Sequence, residues 1–265
     1  MNRHAVLLFV ALTSALWTVA LPAAQSRRSD PGPWTIEYAV AGGIAFNLHS
    51  LRVTREGNLT AADRRLGMDV AGRAPEDLLA KLNAFLETAH DAKPAPPAPD
   101  AIGTSLTVSV PGRQREIEPA REIVAALESA WSDAVRHGIL GTWTQSGWKL
   151  CDPSVRMTTD TIDTPIDVLT FRENGTFEVT WRGGGARTAG SPNVTIPDYT
   201  GRYALAPALG AIQFSVPPPV PAPREFAGDG AFRLAGTELT LSRVWLGTSM
   251  VPRRPEICDL TFSRK

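Results

Sequence analysis

The chain has 265 residues, with 27 basic and 27 acidic side chains and a formal net charge of zero. That balance gives no electrostatic reason to expect nucleic acid or an anionic membrane surface as partner. Twenty-two glycines and twenty-two prolines point to many turns and few long helices.

The first element is a leader. Arg3 and His4 open it, the uncharged run AVLLFVALTSALWTVA follows, and Pro22-Ala23-Ala24 supplies small residues for a signal-peptidase cut. Residues 1–24 are therefore expected to be a cleavable signal peptide. A transmembrane anchor is the alternative, but a span needs about 20 apolar residues and this run stops at a proline. No cysteine stands at the expected cut, so the product is expected to be free of lipid, soluble, and periplasmic or secreted. About 240 residues would remain, enough for one large domain or two small ones. Cys151 and Cys258 both fall in that mature part, and an even count in an oxidising compartment points to a disulfide between them, with two buried free thiols as the alternative.

Residues 25–33 (QSRRSDPGP) read as a polar tether. From 34 to 137 the pattern is α+β. WTIEYAV alternates with period two, Gly42-Gly43 punctuates, and IAFNLHSLRVT offers Ile44, Phe46, Leu48 and Leu51 as inward residues. Glu56-Gly57-Asn58 is a turn. A helix is expected over 75–88, with Pro75 in its first turn, Glu76 and Asp77 at its positive end, and Leu78, Leu79, Leu82, Phe85 and Leu86 on one face. KPAPPAPD is a stiff spacer, SLTVSV a strand, and RQREIE its hairpin partner across Pro111-Gly112. A second helix, expected over 119–135, carries Ile123, Val124, Leu127 and Trp131.

The strand IEYAVAGGIAF with paired glycines, the leucine-rich helix EDLLAKLNAFL, and Pro99-Asp100 leading into TSLTVSV and RQREIE give this half a resemblance to the emfourin family. Emfourins are small protein inhibitors of thermolysin-like metalloproteases, so the resemblance implies an extracytoplasmic protease or another protein as partner. No inhibitory residue can be matched, and the extra length over 61–72 departs from the pattern.

From 138 to 265 the pattern is β throughout. Strands are expected at 140–144, 167–171, 176–181, 201–205, 211–216, 231–234, 238–244 and 258–263, with Asn174-Gly175 as a tight hairpin turn and Ala235-Gly236-Thr237 joining another pair. Short strands at this spacing with no helix between them argue for an antiparallel barrel or sandwich. Gly141-Thr142-Trp143 on the first strand and Arg264 at the end of the last resemble the Gly-x-Trp signature and its covering cation in lipocalin-like barrels. The resemblance implies a barrel closed over the Trp143 indole. It also implies an interior able to hold a small apolar ligand against Trp143, Phe177, Trp181, Tyr203 and Trp245, although the same aromatics could simply fill a core.

Chemistry is sparse. There is no Gly-x-Ser-x-Gly, His-Glu-x-x-His, phosphate loop or Cys-x-x-Cys. Asp160, Asp163 and Asp167 in TTDTIDTPID could gather calcium or serve a carboxylate hydrolase, but their setting reads as a solvated connection. Arg182 to Arg187, around three glycines, reads as a hairpin tip rather than an anion cradle, and His90 beside Asp91 as a helix-end histidine. Asn58, Asn174 and Asn193 open glycosylation sequons. No catalytic residue, metal or cofactor is expected. The sequence leads to an exported binding protein, with a barrel hydrolase or a purely structural envelope protein as alternatives.

Overall fold

In a computed structural model the described residues are 32–41, 49–92, 103–152, 166–182, 186–188, 191–220, 223, 226–247 and 257–265. All described residues belong to one compact unit, residues 31–265. The expected leader, Gly42-Gly43 and the inward candidates Ile44, Phe46 and Leu48 fall outside them. So do the KPAPPAPD spacer, Asp160 and Asp163.

The first half is a six-stranded antiparallel sheet with two helices. Strands β1 (Thr35–Ala41), β2 (His49–Thr54), β3 (Asn58–Asp63) and β4 (Met68–Arg73) form a meander. Helix α1 (Glu76–Thr88) follows, and β5 (Gly103–Val110) with β6 (Arg113–Glu116) adds to the β1 edge, giving the order β4-β3-β2-β1-β5-β6. Helix α2 (Arg121–Ile139) closes the half. Alternation puts Ile36, Tyr38, Leu51, Val53, Leu106 and Val108 on one buried face. Against them α2 sets Ile123, Leu127, Trp131 and Val135 at helical spacing, and α1 sets Leu78 and Leu82. The other face carries Glu37, Arg52, Thr60 and Asp69 and is open to water.

Residues 61–72 fall in the β3–β4 hairpin. Its inward positions are Leu59, Ala61, Asp63, Met68 and Val70. Asp63 is 1 % exposed; its Oδ1 accepts from the Leu66 N–H at 2.9 Å and shapes the turn, and Arg65 stands 3.6 Å from Oδ2. Helix α2 runs to Ile139, four residues beyond the expected end, so it reaches the start of the second half.

The second half is a closed eight-stranded antiparallel barrel. Its strands are β7 (Gly141–Leu150), β8 (Ile166–Phe171), β9 (Thr176–Trp181), β12 (Tyr199–Ala206), β13 (Ala211–Ser215), β14 (Asp229–Ala235), β15 (Glu238–Ser242) and β16 (Ile257–Arg264). Each pairs with the next in that order, and β16 returns to β7. A two-stranded excursion, β10 (Ala186–Thr188) and β11 (Ser191–Ile196), interrupts the sequence between β9 and β12. Closure leaves no unpaired barrel edge. The Cys151–Cys258 disulfide, with Cα atoms 4.8 Å apart, ties the chain after β7 to β16.

The two halves meet along a seam. β4 and β14 share one parallel bridge, Asp69 opposite Ala235, and the Gly236 N–H donates to Asp69 O at 3.0 Å. Gly138, near the end of α2, is pressed into the seam: a Cβ there would stand 2.7 Å from Val70 and 2.8 Å from Leu234. The Arg65 guanidinium donates to Ala208 O at 2.9 Å, so the β3–β4 turn also reaches the short 3₁₀ turn Pro207–Leu209 of the barrel half. The expected boundary at 137/138 falls within the last turn of α2, beside this seam residue.

Candidate functional site

Three places gather functional side chains: the barrel interior, a groove along the seam, and a polar trio under α2.

Trp143 anchors the barrel. It is fully buried, its Nε1 donates to Ile139 O at 2.8 Å, and the Arg264 guanidinium lies 4.6 Å from the ring centroid. Arg264 also donates to Gly138 O, so one side chain covers the indole and fastens the end of α2. A cation over an indole contributes about 0.5–2 kcal/mol. The arrangement expected from Gly141-Thr142-Trp143 and Arg264 is present.

The other aromatic candidates are spent largely on one another. Phe177 stands edge-on to Phe214 at 5.0 Å and to Tyr199 at 5.9 Å, and Trp181 lies 6.0 Å from Tyr199. The Phe177 ring lies directly over Gly201, where a Cβ would come within 2.4 Å of it; only glycine fits. Trp181 Nε1 donates to Pro197 O at 3.2 Å, and the Tyr199 hydroxyl donates to Leu246 O at 2.6 Å. Burial pushes the Tyr199 hydroxyl well above the ordinary tyrosine value. Trp245 is buried, and its Nε1 has no hydrogen-bond partner among the described residues. Tyr203 is half-buried, edge-on to Phe171 at 5.0 Å, and donates to Arg172 O at 2.9 Å. It borders a shallow outer depression of about 360 Å³ with His137, Leu140 and Glu173.

The seam groove has a volume of about 820 Å³. Its walls are β4 from Val70 to Arg73, the start of α1 at Glu76, the second half of α2 through Ala130, Ala134 and His137, and Leu234, Gly236 and Arg264 from the barrel half. Leu59, Val70, Leu234 and the alanines supply an apolar floor, and the rim mixes both charge signs. Most rim charges are already engaged. Arg73 donates to Asn58 Oδ1 at 2.8 Å, Arg136 to Asp133 at 3.0 Å, and Arg264 to Gly138 O. His137 Nδ1 lies 2.7 Å from Asp133 O.

The polar trio is Tyr38, His49 and Glu128. Tyr38 is fully buried and donates to Glu128 Oε1 at 2.5 Å, while His49 Nε2 stands 3.0 and 3.1 Å from the two carboxylate oxygens. The His49 ring packs tilted against Trp131 with centroids 4.7 Å apart, and Trp131 is itself fixed by donation from Nε1 to Ala62 O at 3.3 Å. Burial, and then the adjacent Glu128 carboxylate, push the Tyr38 hydroxyl far above its usual range, so it holds its proton.

No protein-family model, curated protein or solved structure matches the chain.

Among the described residues, no three His, Cys, Asp or Glu side chains come together to hold a metal ion. Asp167 is half-buried on β8; its sequence companions Asp160 and Asp163 lie outside the described residues. His90 lies past the end of α1, its carbonyl accepting the Glu118 N–H at 3.1 Å. Residues 183–185 lie outside the described residues, while 186–188 form β10. Asn174 serves its turn, accepting from Thr176 N–H at 3.1 Å and Oγ1 at 2.6 Å. Neither the groove nor the trio was legible beforehand. The trio had one signal, a carboxylate three residues before Trp131 on the margin of an apolar helix face.

Proposed function

We propose that this chain is an exported, non-enzymatic binding protein whose partner engages the first half along the seam groove, with the barrel as its rigid support. The groove carries the proposal: about 820 Å³ with an apolar floor and a mixed-charge rim is within the range of ligand sites. Arg73, Asp133 and Arg264 are held by neighbours and do not converge on one point, which favours recognition over proton transfer. For the barrel, the ring contacts of Phe177, Trp181 and Tyr199 and the close approach to Gly201 favour a filled interior over carriage of a small apolar ligand.

The resemblance to emfourins makes a thermolysin-like metalloprotease the first partner to test, and an extracytoplasmic place is supported by the disulfide. No helix among the described residues is long and apolar enough to cross a membrane. The test is calorimetric titration of a thermolysin-like protease with the wild-type chain and with Ala134→Trp, which fills the groove. Saturable binding that is weakened by the tryptophan is expected. Equal binding by both proteins would move the partner site elsewhere, and hydrolytic activity lost on Glu128→Gln would replace the binding reading with an enzyme.

A further inference from the structure

Strand β4 loses its outer neighbour part-way along. The Ala74 N–H donates to Gly57 O at 2.9 Å, and Leu59 stands opposite Gly72 and Ala61 opposite Val70 in the same ladder. That phase turns the main-chain groups of Gly72 and Val70 toward β3 and those of Asp69, Ala71 and Arg73 away from it. The Gly236 N–H on Asp69 O marks this outer side. There β14 ends at Ala235 and reverses through Gly236 into β15. Among the described residues, Ala71 and Arg73 are left with N–H and C=O groups facing outward and no strand beside them.

The seam groove begins at this edge. Gly72 and Gly236 flank it, and a Cβ on either would meet nothing within 4 Å, so a second backbone has room to approach. Adjacent strands need a spacing of about 4.8 Å and a donor and acceptor at every second residue. Only an extended chain repeats that pattern. The rim offers both charge signs, and Arg73 is held by Asn58 and Asp133 by Arg136, so these charges do not converge on one head group. An edge shielded between α2 and a barrel is also out of reach of the flat edge-to-edge contact by which exposed strands aggregate.

We propose that the groove takes an extended peptide segment of the partner, laid against β4 where β14 would have continued. Its main chain pairs with Ala71 and Arg73, and its alternate apolar side chains rest on Val70, Ala134 and Leu234. This inference rests on the binding reading above and names its mode.

The experiment uses the full mature chain and a pool of acetylated, amidated heptapeptides alternating valine, leucine or phenylalanine with threonine. Amide hydrogen exchange at Ala71 and Arg73 is expected to slow at saturating peptide. N-methylation of the peptides at alternate residues is expected to weaken binding by about tenfold in one of the two parities, the scale of a lost main-chain hydrogen bond. Ala71→Pro, which removes an outward N–H but no β3–β4 bond, is expected to lose about as much, with Ala71→Val as the folded control. Binding that ignores N-methylation in both parities, or unchanged exchange at both amides, overturns strand addition and leaves the binding reading standing. Absence of any peptide binding beside intact protease binding does the same. Slowed exchange at these amides on concentrating the protein without peptide would assign the edge to a second copy and also overturn it.

Discussion

The two halves of the chain solve the same problem in opposite ways. The barrel half buries its apolar face by closing on itself: eight strands leave no edge, the rings of Phe177, Tyr199 and Phe214 pack on one another, and a disulfide ties the chain after β7 to β16. The first half buries its face under two helices, keeps the other face wet, and leaves main-chain groups of β4 unmatched among the described residues. A closed sheet spends all its backbone on itself, whereas an open one retains some for recognition. That contrast is why we propose the binding site for the first half and a supporting role for the second.

The largest test removes the clasp. The bridge spans 107 residues, and replacing Cys151 and Cys258 by serine is expected to cost about 4–5 kcal/mol in the chain-entropy account, read by urea unfolding. Trp143→Ala should cost about 3–5 kcal/mol, since a fully buried indole and its covering Arg264 are both lost. If the seam couples the halves, both variants shift one cooperative transition. A second transition that stays in place would show that the first half folds alone and would sharpen the contrast into true domains. Gly138→Ala probes the seam directly. The added methyl gains helix propensity but would stand 2.7 Å from Val70, and overpacking of this kind costs about 1–3 kcal/mol. A stabilised variant would mean that the seam yields freely and that the halves are loosely joined.

Alkaline stability separates the halves by chemistry. Tyr199 in the barrel and Tyr38 in the first half both have hydroxyls raised by burial. Unfolded tyrosine titrates near pH 10, so the unfolded chain releases these protons before the folded one. Their contribution is therefore whole below about pH 10 and falls as pH rises through the folded values. Tyr199→Phe should flatten the decline above about pH 10 in thermal-melt series, and Tyr38→Phe should flatten it further. At neutral pH Tyr38→Phe is the smallest effect, about 1 kcal/mol for one hydrogen bond to a carboxylate that keeps His49.

What the sequence made legible follows the same divide. The barrel strands declared themselves by strict alternation and by turns such as Asn174-Gly175, and the Trp143–Arg264 pair needed only one local signature at each end. The β3–β4 hairpin did not. Its inward positions mix Leu59, Ala61, Met68 and Val70 with a buried Asp63, and small or charged residues blur a period-two pattern. The groove was unreadable for a different reason. It is made of alanines, glycines and strand ends brought together by the seam, and no short stretch of chain carries its outline. The trio failed likewise, because Tyr38, His49 and Glu128 are 79 and 90 positions apart in their pairings.

The pairing of β7 with β16 also sets an order of events. As the chain emerges, β1 through α2 can assemble from segments already made, whereas one of the two neighbours of β7, β16, lies more than a hundred residues downstream. Contacts of such separation form slowly. During that interval Trp143 and the inner faces of β8 and β9 are exposed to water and to other chains. Arg264, at the end of β16, lands on Trp143 only when that strand pairs with β7. Barrel closure thus requires β16, and a chain interrupted before it would leave the apolar inner face of a half-ring open.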